Sequence, residues 1–139
     1  MRRNPECIFC KIVAGEVGAA KIDESEHALA FMDLFPVSDG HCLVIPKAHY
    51  ENLFESDTAT LPEVHLLARR VARAMKASLA PDGLMITQLN GAAAGQTVFH
   101  YHAHLIPRQQ GSPLSLHGRR RAEASELEAT ARRIASALE

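Results

Sequence analysis

A chain of 139 residues is long enough to bury a hydrophobic core of its own, so one domain over residues 1–139 is the expectation. With 15 Lys and Arg against 16 Asp and Glu, its balance excludes a generally basic nucleic-acid binder and leaves any recognition of anions to local groups. No apolar run approaches the roughly 18 residues that would span a bilayer, so no membrane partner is expected and the chain reads as cytoplasmic.

The first chemistry along the chain is Cys7-Ile8-Phe9-Cys10. Three cysteines, an odd number, suit a reducing compartment with metal or thiol chemistry better than a disulfide framework. The pair alone does not decide between a half metal site and two free thiols. Residues 7–14 read as a short helix ended by Gly15. Two strands are expected at 28–32 and 41–45, short β-rich apolar runs bounded by Pro36, Ser38-Asp39-Gly40 and Pro46. Their tight connection favours an antiparallel pair. Asp33 ends the first of them, where a turn residue is the plain reading. In the second, Cys42 reads as a small core residue, and His41 as a structural histidine or one that backs a phosphate site.

From 60 to 80 the period becomes helical, with Val64, Leu67, Val71, Met75 and Leu79 three or four residues apart. Thr60 and Glu63 fit a capping box, Pro62 is tolerated in the first turn, and Pro81-Asp82-Gly83 ends the helix. Two further strands, 84–89 and 100–106, flank Asn90-Gly91-Ala92-Ala93-Ala94-Gly95-Gln96, a loop of little side-chain bulk. A tail from about residue 112 turns helical over 121–138, with Leu127, Ala131, Ile134 and Leu138 on one face; Arg119-Arg120-Arg121 before it reads as a solvated helix entrance. His27, His65 and His117 have no inferable partners and read as surface. Strands, helix, strands, helix in this order point to an antiparallel sheet packed by helices, an α+β fold.

The densest chemistry is His100-Tyr101-His102-Ala103-His104. On a strand, alternate side chains share a face, which would align three imidazoles about 7 Å apart. Neutral imidazole attacks phosphorus well when its other nitrogen is held by an acceptor, but paired strand histidines also bind metals. The preceding loop suits a phosphate: Gly91, Gly95 and the alanines let backbone N–H groups approach its oxygens, and Gln96 and Thr97 add side-chain donors. Spacing alone does not say which histidine reacts.

The run from Asn90 through Gln96, Thr97, Val98 and the three histidines to Arg108 resembles the histidine triad (HIT) family of nucleotide hydrolases and transferases. The likeness extends to 7–12, 28–34 and 41–49; the tail after Arg108 carries no motif. It implies an antiparallel sheet of about five strands with one long central helix, a short N-terminal helix and a C-terminal helix. It also implies His102 as nucleophile, with His104 and Gln96 as catalytic companions. Gln96, Thr97 and Val98 would contact the phosphate and leaving group, and Asn90 would lie near phosphate and sugar. Asp33 would accept from the ribose hydroxyls, and Ile8, Phe9, Ile12, Phe31, Leu34 and Leu43 would wall the base.

The same resemblance implies a closed, structural Zn²⁺ site of Cys7, Cys10, His49 and His100. It implies a homodimer as well, for which the helix beginning near Thr60 offers an apolar face that is otherwise core. The implied activity is hydrolysis or transfer of a nucleoside monophosphate, on purine nucleoside 5′-phosphoramidates or adenylylated amines. A dinucleoside polyphosphate hydrolase and a purine-nucleotide-binding module without turnover are the alternatives.

Overall fold

The computed structural model describes residues 2–115 and 119–139. Its elements are α1 (Ile8–Val13), β1 (Lys21–Glu24), β2 (Ala28–Met32), β3 (Cys42–Pro46), α2 (Leu61–Leu79), β4 (Gly83–Gln88), β5 (Ala103–Arg108) and α3 (Ala124–Ala135), with two short 3₁₀ turns, Leu53–Glu55 and Ala92–Ala94. The five strands form one antiparallel sheet in the order β1-β2-β3-β5-β4. This is the expected α+β architecture.

The sheet is covered on both faces at its centre, so β2 and β3 are buried throughout and lack the alternation of a half-exposed strand. On one face Ala28, Ala30, Met32, Cys42, Val44, Ala103 and Leu105 pack against Val64, Leu67, Val71 and Met75 of α2 and Leu127, Ala131 and Ile134 of α3. The apolar stripe of α2 is therefore core. On the other face Leu29, Phe31, Leu43 and Ile45 meet Phe9 and Ile12 of α1. Strand register pairs Phe31 with Leu43 and Leu43 with His104, which lays an aromatic ring, an aliphatic side chain and an imidazole in one row on this second face.

Two local expectations differ from the fold, and one strand has no counterpart among the expected ones. Strand β1 is short, with Ile22 as its one large apolar side chain, too little alternation to stand out as a strand. Thr60 does not cap α2: its backbone is already helical (φ −106°, ψ −23°), and its hydroxyl turns to Tyr50 Oη at 3.4 Å. Ladder pairing of β5 begins at Ala103, so His100 and His102 lie on the approach to the strand rather than within it. The three imidazoles are therefore not equivalent neighbours along one ladder. His117 lies outside the described residues.

Candidate functional site

Two sites meet at the histidine run. The first gathers Cys7 at the start of α1, Cys10 within it, His49 just after β3, and His100. Tyr101 N–H donates to the Tyr50 carbonyl at 2.8 Å and so lays the approach to β5 alongside the segment that carries His49. His49 Nδ1 is 3.4 Å from Cys10 Sγ and 3.2 Å from His100 Nδ1; His100 Nδ1 is 3.5 Å from Cys7 Sγ and 3.6 Å from Cys10 Sγ.

A tetrahedral zinc with ordinary Zn–S and Zn–N bonds separates its S and N ligands by about 3.5 Å and two N ligands by about 3.3 Å. The donor set fits that ion. His100 Nε2–H donates to the Pro46 carbonyl at 2.8 Å, which leaves the Nδ1 lone pair pointing at the thiols. Burial holds this ring neutral, with its pKa pushed down to about 4. Asn4 N–H is directed at Cys10 Sγ at 3.4 Å, as a thiolate would want.

The second site is a cleft of about 590 Å³ on the α1 side of the sheet. Phe9, Ile12, Phe31 and Leu43 supply an apolar wall, with Phe9 edge-on to both Phe31 (5.5 Å between centroids) and His102 (5.2 Å). Ile8, Asp33, Leu34, Thr97, Val98, His102 and His104 also line it. Asp33 follows Phe31 by two residues and faces the same way.

Asn90 and Gln96 are not among the residues that line the cleft. The Gln96 side chain is buried, accepting from Gly91 N–H at 2.8 Å and donating to the carbonyls of Glu51 at 2.6 Å and Val98 at 3.1 Å. Asn90 is paired with Gln88 and accepts from Leu53 N–H at 2.8 Å. Both brace the glycine loop, whose Gly91 and Gly95 hold φ of 93° and 101°, conformations that a side chain would strain.

Hydrogen bonds to backbone fix the tautomers of the cleft histidines. His102 Nδ1–H donates to the His100 carbonyl at 2.7 Å, so its Nε2 carries the lone pair. Val37 N–H donates to His41 Nδ1 at 3.0 Å, so a neutral His41 carries its proton on Nε2. That Nε2–H points at His104 Nδ1 at 3.0 Å, with Asp33 Oδ2 3.3 Å away. His104 must accept there, which makes its own Nε2–H a donor. The cleft thus holds one imidazole with a free lone pair beside one with a free proton, their ring centroids 4.9 Å apart.

The same argument disposes of a second metal site. Asp33, His41 and His104 cluster closely enough to hold an ion, but with Nδ1 accepting from Val37, His41 offers its neighbours a proton and no lone pair. Burial keeps both rings neutral: His41 is pushed down to about 3 and His104 to about 4, and His102 is lowered in the same direction. Burial raises Asp33, while Phe35 N–H and the Arg119 guanidinium work against that shift.

Sequence reasoning left His41 open between two roles, and the structure buries it fully against His104. Arg119 and Leu127 were missed as cleft residues; they come from the tail, and no local pattern announces so distant a contact. His65, read as lacking a partner, has its Nε2 3.0 Å from Tyr101 Oη. Cys42 is core, with Sγ 3.6 Å from Met75 Sδ.

A family model described as the HIT domain matches residues 14–111. The chain is 48% identical over 102 residues to "Protein hit" of Bacillus subtilis, covering 73% of this chain and 70% of that protein. It is 37% identical over 105 residues to the adenylylsulfatase HINT3 of Arabidopsis thaliana, covering 76% of this chain and 53% of that one. Among solved structures, a Hit-like protein from Bartonella henselae superposes with a TM-score of 0.92 at 36% identity, covering 99% of this chain and 100% of that one. A zinc-bound histidine triad family protein from Mycobacterium smegmatis superposes with a TM-score of 0.84 at 39% identity, covering 95% and 92%.

Proposed function

Since this chain belongs to the HIT domain family, we propose that it is a nucleoside-monophosphate hydrolase or transferase working at the α-phosphorus through a nucleotidyl-histidine intermediate. The observation that carries this reading is the complementary pair of tautomers in the cleft. His102 has a bare Nε2 while its Nδ1–H is held by a carbonyl, and His104 has an Nε2–H.

His102 Nε2 attacks phosphorus as the bond to the leaving group breaks; His104 Nε2–H hydrogen-bonds to the leaving atom, which departs with a proton taken up from solvent. The positive charge that builds on His102 is stabilised by its hydrogen bond to the His100 carbonyl. Water then attacks phosphorus, the P–N bond to His102 breaks, and a proton returns to solvent as neutral His102 is restored. Phe9, Ile12, Phe31 and Leu43 hold a purine, and Asp33 accepts from the ribose hydroxyls. Thr97 and Val98 border the phosphate at the mouth of the cleft, and Asn90 and Gln96 keep the glycine loop open to it.

Amine leaving groups, as in adenosine 5′-phosphoramidate or adenylylated amines, suit a site with one hydrogen-bond donor. Polyphosphate leaving groups would draw on a carboxylate cluster for Mg²⁺, and beside the triad the described residues offer Asp33 alone. The Arabidopsis relative is named an adenylylsulfatase, and action on an adenylyl compound supports the substrate class. Incubation with adenosine 5′-phosphoramidate is expected to release AMP and to trap AMP on a histidine after acid-free quenching. Faster turnover of a dinucleoside polyphosphate would move the assignment to the P–O–P class, and binding of AMP without turnover of either would leave a binding module.

Cys7, Cys10, His49 and His100 would hold Zn²⁺, which supplies a structural cross-link between α1 and the segment leading into β5 and no catalytic step. The three free thiols suit the cytoplasm. The active form is proposed to be a homodimer of single-domain chains. With the stripe of α2 consumed by the core, the interface is proposed to use Leu66 on α2 and Ile86 on β4, 61% and 51% exposed, the latter on a strand at the unpaired edge of the sheet.

A further inference from the structure

The geometry points to Arg119, in the tail beyond the family-matched span, as a positioning residue that sets the affinity of the cleft for the ribose of its substrate by holding Asp33. The inference rests on the reading of Asp33 as the ribose acceptor.

The tail returns across the loop that follows β2 and is fixed to it twice. Ala122 N–H donates to the Leu34 carbonyl at 2.9 Å, and Arg119 Nη1 donates to the Phe35 carbonyl at 2.9 Å. This places Nη1 3.9 Å from Asp33 Oδ2, with the Asp33 and Arg119 side chains only 13% and 30% exposed. Among the described residues lining the cleft, Arg119 is the one Lys or Arg.

A carboxylate at this depth needs help to remain an acceptor. Burial favours its protonated form, and a protonated Asp33 would offer ribose one acceptor fewer. Its other support is the Phe35 N–H, which donates to Oδ1 at 2.8 Å; the His41 Nε2–H, 3.3 Å from Oδ2, is directed at His104. Neither of these carries a charge at neutral pH. Arg119 is the full positive charge beside it, and its bond to the Phe35 carbonyl steadies the residue whose N–H holds Oδ1. The guanidinium therefore acts on the ribose through Asp33, both electrostatically and by fixing the 33–35 turn.

The test is calorimetric binding of two probes, AMP and 2′,3′-dideoxyadenosine 5′-monophosphate, to the full chain carrying Arg119→Ala, Arg119→Lys or Asp33→Asn. Arg119→Ala is expected to weaken AMP about tenfold, the loss typical of a partly buried charge-assisted contact, and the dideoxy probe less than about twofold. Arg119→Lys is expected to restore most of the difference. Equal losses for both probes in Arg119→Ala would make the tail a mere wall and overturn the inference. If Asp33→Asn binds both probes as the wild type does, the ribose reading of Asp33 fails, and this inference with it.

Discussion

The carbonyl of His100 accepts the Nδ1 proton of His102 at 2.7 Å, while the ring of His100 faces the two cysteines. One residue thus belongs to both sites, with its side chain in the metal set and its backbone orienting the neighbouring imidazole. His102→Ala is expected to lower turnover of adenosine 5′-phosphoramidate by about three orders of magnitude or more and to abolish the trapped nucleotide, with AMP binding changed only a few-fold. Hydrolysis at the wild-type rate would sink the nucleophile assignment.

Proton placement at His104 depends on His41, which receives Val37 N–H on one nitrogen and donates from the other. His41→Phe removes that donor. Turnover should fall about 10- to 100-fold, the usual share of a positioned donor, with KM little changed. His41→Gln, which can still present an N–H toward His104, should recover part of the loss. Equal kcat in wild type and His41→Phe would show that His104 finds its tautomer unaided.

Elemental analysis should find one zinc per chain, and Cys7→Ser or Cys10→Ser should lose it. Because the site ties α1 to the segment before β5, and a structural zinc is itself a source of folding free energy, a chelator should lower Tm by several degrees or more. Stoichiometric zinc in a chain lacking both thiols would place the ion elsewhere.

Acid should destabilise the fold in a defined window. In the unfolded chain His41 and His104 protonate near 6.5, whereas in the folded state they stay neutral until about 3 and about 4. Between those limits the unfolded chain binds more protons, so stability is greatest above pH 6.5 and is lost as pH falls toward 4. Each ring contributes a slope of at most about 1.4 kcal/mol per pH unit. Asp33, raised by burial, works in the opposite sense. Denaturant unfolding in zinc-replete buffer should show a steeper decline from pH 7 to pH 5 in the wild type than in His41→Phe, and parallel declines would refute the assignment.

Placing a charge on the exposed edge should separate the dimer. Ile86→Glu is expected to sediment as a monomer at concentrations where the parent chain is dimeric. A monomeric parent would refute the proposed dimer, and a dimer untouched by this change and by Leu66→Glu would move the interface off β4 and α2.

Much of this was written in local patterns. The 3.6-residue period of α2, the punctuation around β2 and β3, and the residue types of both sites are visible because each depends on near neighbours in sequence. The metal set and the base wall were named through a family likeness, and the fold brings those residues together. Contacts with no short-range signature escaped: β1, with a single large apolar residue; the inward turn of Gln96, set by the Glu51 carbonyl; and the service of Val37 N–H to His41. Arg119 looked like an ordinary basic residue at a helix entrance because its meaning lies in Asp33 and Phe35, more than eighty positions away.

The cleft draws Arg119 and Leu127 from outside residues 14–111, the span by which the family is recognised. On the proposed function, a change in the tail would alter which nucleotide the cleft holds while His102 and His104 stay untouched, so two chains with identical triads need not share a substrate.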